Sequence, residues 1–144
     1  MTRCYLLTVC SSSSVDQQTN NVSLFNLVEQ INVPPKAPPP PRGLIPLEIH
    51  AYWQLDPNDL SRDFEMRFVM VASSGLETPT DVFRHRSVSE RFRTRTVGLP
   101  FPPVVGMYQL RVDWRRSDSD EWRREPPAWP VNINETVPKP RVTH

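Results

Sequence analysis

Basic side chains crowd one stretch of this sequence at a spacing that chemistry can use. Arg84, His85 and Arg86 stand together, and Arg91, Arg93 and Arg95 follow at every second position, with Glu90 the one acid among them. Every-second spacing puts three guanidinium groups on one face of an extended strand. Guanidinium forks grip phosphates and carboxylates through paired hydrogen bonds, so this face is a candidate seat for an acidic partner protein or a nucleic-acid backbone. The plainer reading is a charged edge whose arginines pair with acids elsewhere in the chain. A second candidate is the pair Trp122 and Trp129, which lie among Pro126, Pro127 and Pro130 in a segment with little core periodicity. Aromatic side chains on a stiff, irregular edge suit a protein-binding patch. The competing expectation is that they cap the open end of a core.

Catalytic and metal chemistry find less to work with. His50, His85 and His144 are scattered, and neither Cys4 nor Cys10 lies at ligand spacing from them, so the spacing points to no metal centre and no cofactor. Four glycines cannot build a phosphate-cradling loop, and no Gly-x-Ser-x-Gly elbow positions a nucleophile. The groups Asp118, Asp120, Glu121 and Asp56, Asn58, Asp59 lack the glycine and distal glutamate of a calcium loop and read as solvated turns. A formal net charge of +1 from 17 basic and 16 acidic residues supplies no overall field to draw in nucleic acid or membrane. Any electrostatic function has to come from a local patch.

These side chains need strands to hold them. The chain of 144 residues is long enough for one domain with a real core. Its 17 prolines against four glycines disfavour helix interiors, and no convincing helical period runs longer than a turn or two. The clearest strand is Met107–Arg115, where Tyr108, Leu110, Val112 and Trp114 share one face and polar residues the other. Pro100, Pro102 and Pro103 stiffen the turn before it, and Gly106 frees the chain to turn in. Tyr108 then resembles the tyrosine corner of Greek-key sandwiches, or is simply a core aromatic. Leu47–Leu55 and Phe64–Ala72 alternate as cleanly, with His50 on the wet face of the first.

The remaining strands are less regular. Residues 3–11 form a first strand with Tyr5, Leu7 and Val9 on one face, and 11–21 a loop. Residues 22–33 form a second, with a bulge near Asn26 or Glu29 that swaps its apolar parity. Residues 82–86 and 91–97 are strands, the latter an edge guarded by its arginines. A loop centred on Asp118 sets Trp114 opposite Trp122, and the prolines after it predict an irregular edge strand. Cys4 and Cys10 on one strand lie about 20 Å apart, too far for a disulfide. Unbridged thiols suit a reducing compartment. The apolar run Tyr5–Val9 is too short for a signal peptide, and no run suits a membrane helix.

The pattern predicts an all-β chain: a single antiparallel β-sandwich of about eight strands, Greek-key or jelly-roll-like. It would span residues 1–134, with a Pro-rich connection at 34–43 read as a stiff spacer and a flexible tail at 135–144. Three pieces carry a resemblance: the strand Cys4–Cys10, the segment Asn21–Ile31 leading into Pro34, and Leu99-Pro-Phe-Pro with Gly106-Met-Tyr-Gln-Leu-Arg-Val112. In that order they resemble a family of small, uncharacterised bacterial β-sandwich proteins. The resemblance implies an immunoglobulin-like sandwich and no catalytic residue. The functional expectation is a non-enzymatic interaction or structural module in the bacterial cytosol, off the membrane, binding another protein or itself. The alternative is nucleic-acid or polyanion binding through Arg84, Arg86, Arg91, Arg93 and Arg95.

Overall fold

Alternating apolar and polar side chains build strands, and two sheets close over the apolar faces. The computed structural model describes residues 1–34, 44–118 and 120–136. Among them run β1 (Arg3–Val15), β2 (Val22–Leu27), β3 (Gln30–Val33), β4 (Leu44–Gln54), β5 (Asp63–Ala72), β6 (Glu77–Pro79), β7 (Phe83–Arg86), β8 (Arg91–Pro100), β9 (Gly106–Arg115) and β10 (Arg123–Glu135). One sheet has the order β2-β1-β4-β8. The other has the order β3-β10-β9-β5-β6, with β7 also paired to β5. The fold is therefore an all-β sandwich, with ten strands where the sequence suggests about eight. No helix among the described residues is long and apolar enough to cross a membrane.

The core is the period-2 face of three strands. Ile49, Ala51 and Trp53 of β4 meet Met66 and Phe68 of β5, and Leu110, Val112 and Trp114 of β9 join them. Burial of each large apolar side chain contributes roughly 1.5–3 kcal/mol. β9 lies between β10 and β5, which is why its inner face is so regularly apolar. Gly106 opens it at φ 139°, a conformation other residues rarely adopt. The buried Tyr108 hydroxyl donates to the Val104 carbonyl, so the tyrosine-corner bond is present and the ring is also core. β8 lies at the edge of the four-stranded sheet, as its arginines imply.

Several expectations give way, each for a local reason. A bulge between Cys4 and Leu6 shifts the register of β1, so Cys4 joins Leu7 and Val9 in the core and Tyr5 faces out. β1 runs on to Val15, and the loop shrinks to a turn at Asp16, whose carboxylate accepts from the Gln18 and Thr19 amides. Residues 22–33 are two strands rather than one bulged strand. Asn26 adopts φ 60°, and the chain leaves the four-stranded sheet at Leu27 and enters the six-stranded sheet at Gln30. There β3 pairs in parallel with β10, the one departure from an antiparallel arrangement among the described ladders.

β10 is likewise no edge strand, because β9 and β3 flank its second half. Its prolines are tolerated by geometry. The register skips from Arg124 to Ala128 past Pro126 and Pro127. The Asn132 amide points to the β3 side, at Glu29. Pro130, two residues earlier, therefore lacks its N–H on that side and not toward β9. Trp114 lies opposite Arg123, not Trp122. Glu135 is paired with Val33, and the Thr136 amide donates to the Val33 carbonyl. The expected Pro-rich spacer, from residue 35 to 43, and the expected tail from residue 137 lie outside the described residues.

Candidate functional site

The outer face of the four-stranded sheet carries a covered polar cluster. Cys10 of β1 lies opposite Glu48 of β4, Thr8 opposite His50, and His50 opposite Arg95 of β8. Alternation places all of them away from the core, since Ile49 and Ala51 between them point inward. Yet Cys10, Glu48 and His50 are only 0%, 6% and 4% exposed. His50 thus faces outward, as its spacing implies, but not into water.

The end of the β1–β2 hairpin accounts for the cover. Arg93 lies opposite Tyr52, which lies opposite Leu6. A straight β1 would carry Val15 about 30 Å beyond that row. Arg93 Nη2 nevertheless donates to Asn20 Oδ1 in the hairpin turn at 3.1 Å. Ser13 Oγ, three residues past Cys10, donates to Glu48 Oε1 at 2.6 Å. The hairpin therefore folds back across the outer face and is latched at both points.

Glu48 is the hub. Arg95 forks onto it, Nε to Oε1 at 2.8 Å and Nη2 to Oε2 at 2.9 Å. His50 Nε2 stands 3.0 Å from Oε1. The Arg95 fork, helped by Ser13 and His50, holds the Glu48 carboxyl at about 2 against the opposing effect of burial. Burial pushes the Cys10 thiol up, and the Glu48 charge adds to it. The sulfur is thus kept as a covered thiol, whereas a nucleophile needs an accessible thiolate. The donor atoms of Cys10, Glu48 and His50 all lie within 4.8 Å of one another, and such a set suits a metal ion as well as a structural network.

The residues singled out in the sequence are dispersed. Arg84 and Arg86 sit on the outer face of the six-stranded sheet, bonded to Glu65 at 3.3 Å and Asp63 at 2.7 Å. Arg91, Arg93 and Arg95 sit on the outer face of the other sheet. The two groups do not form one patch. Three of the five carry carboxylate partners. Arg93 has the Asn20 amide, and Arg91 has no partner among the described residues. His85 packs against Phe64 and Phe92, and burial lowers its pKa.

The tryptophans also part company. Trp129 packs against the core and donates to the Val28 carbonyl at 2.6 Å. Trp122 lies half-buried on the outside, with the Arg115 and Arg67 guanidiniums 4.1 and 4.4 Å from its ring centre. Sequence spacing did not join Cys10 to His50. The available signal was Glu48-x-His50, two donors on one face of one strand, beside a cysteine on a strand apolar on both faces. Neither a scan against models of known protein families nor a search of curated proteins returns a match.

Proposed function

We propose that the protein is a non-enzymatic interaction module, an immunoglobulin-like sandwich of the bacterial cytosol that docks an apolar, strand-forming segment of another protein along β2. The observation that carries this reading is an asymmetry between the two edges of the four-stranded sheet. β8 presents Arg91 and Arg93, which discourage strand pairing. β2, at the other edge, presents Phe25 at 50% and Leu27 at 53% exposure. An unguarded edge with apolar side chains is the usual template for strand addition. The tyrosine-corner bond of Tyr108 supports the immunoglobulin-like description. The kinship with small uncharacterised bacterial sandwich proteins belongs to the same reading, and the two unbridged buried thiols suit a reducing compartment.

A second reading has its own observation. Arg91 and Arg93 have no carboxylate partner among the described residues, so a polyanion has two guanidiniums to engage. Two phosphate contacts give a salt slope of only about 2 in log–log form.

Affinity recovery of the tagged full chain from cells that make it, with nuclease treatment, separates the two. The docking reading expects a stoichiometric protein that survives high salt and is lost in the Phe25→Ser/Leu27→Ser variant. Nucleic acid lost with salt and with Arg91→Ser/Arg93→Ser would replace it with the second reading.

A further inference from the structure

The geometry points to a zinc-class divalent cation site formed by Cys10, Glu48 and His50 beneath the β1–β2 hairpin. A thiolate, an imidazole and a carboxylate form a donor set that zinc favours. Tetrahedral binding at ordinary zinc distances needs the donors about 3.4 Å apart, and here they already lie within 4.8 Å on two hydrogen-bonded strands. The scaffold is rigid, so little ordering remains to be done on binding. A second observation points the same way. Thr8 stands directly across from His50, is 6% exposed, and its hydroxyl has no partner among the described residues. Buried hydroxyls rarely go unpaired, and a water on the fourth position of the ion would satisfy this one.

Arg95 stands in for the cation. It neutralises Glu48 from the outside, and its side chain is 56% exposed, so it can swing off into solvent when an ion arrives. His50 Nε2 and Glu48 Oε1, now in contact at 3.0 Å, then turn to the metal. Cys10 gives its proton to solvent on ligation. Charge is conserved in kind: a divalent ion and a thiolate take the place of a guanidinium and a thiol. The buried sulfur, inert without metal, becomes a ligand rather than a nucleophile.

Titration of the full chain with Co(II), followed by displacement with Zn(II), tests the site. The expected result is a thiolate-to-cobalt charge-transfer band saturating at one equivalent, with tetrahedral d–d bands, bleached by zinc. Cys10→Ala should abolish the band, Glu48→Gln should weaken binding by more than about tenfold, and Cys4→Ala should leave it intact. Far-UV circular dichroism checks that each variant folds. A measurement on the unaltered chain is independent of the variants: zinc should slow alkylation of Cys10 and not of Cys4. Absence of the charge-transfer band in the wild-type chain, its survival in folded Cys10→Ala, or equal protection of both cysteines would overturn the site.

Discussion

Tyr108 holds the corner ahead of β9 with a single polar atom, its hydroxyl, bonded to the Val104 carbonyl. The ring is buried, so Tyr108→Phe removes a hydrogen bond without opening a cavity. A cost of about 1–1.5 kcal/mol is expected in urea unfolding, with the slope against denaturant unchanged. At this scale the sequence was readable where a side chain acts alone. The Gly-x-Tyr beside prolines announced the corner. It was not readable where side chains act across strands. Glu48 and His50 looked like the wet face of a half-buried strand, because nothing in their spacing reveals that a hairpin folds back over them. Arg95 looked like one of a row of like charges, whereas Glu48 on the neighbouring strand β4, 47 residues earlier in the chain, takes it up.

Elements are tied down at their ends by the same kind of device. The short 3-10 turn Pro57–Asp59 between β4 and β5 buries Asp59, which accepts from the Thr2 hydroxyl and from Arg116 at 2.7 and 3.3 Å. One carboxylate thereby joins the start of β1 to the end of β9. Burial alone would push this carboxyl up, but Arg116 and Thr2 outweigh it and hold it below its ordinary value. The folded chain then binds fewer protons than the unfolded chain. The stabilisation is complete above the unfolded carboxylate value near 4 and fades as pH falls through the lower folded value. Asp59→Asn should therefore destabilise the chain at neutral pH and flatten the acid limb of its stability profile, measured by denaturant unfolding across that range. Strand existence was legible from period-2 alternation, as in β4, β5 and β9. The path between strands was not. Asn26 marked a break, but bulge and sheet switch share one signature in sequence, a parity change. The prolines of β10 argued for an edge because their register against β9 cannot be seen without the partner strand.

Across the whole molecule the two outer faces are opposites. On the six-stranded sheet, Glu65 pairs with Arg84 and Arg115, Asp113 with Arg67 and Arg111, and Glu77 with Arg111 and Arg124. Trp122 lies beneath two of those arginines. Each of those arginines has a carboxylate partner, although five guanidiniums share three carboxylates and the group stays net positive. The four-stranded sheet keeps its polar groups under the hairpin, leaves apolar side chains on β2, and carries on β8 two arginines, Arg91 and Arg93, with no carboxylate partner among the described residues. β2 is the proposed docking edge. Site-specific photo-crosslinking in cells, from probes at position 25 on β2 and position 84 on β7, tests it most directly. One discrete crosslinked protein is expected from position 25 and none from position 84. Crosslinks from position 84 with none from position 25 would contradict it and move the docking surface to the six-stranded sheet.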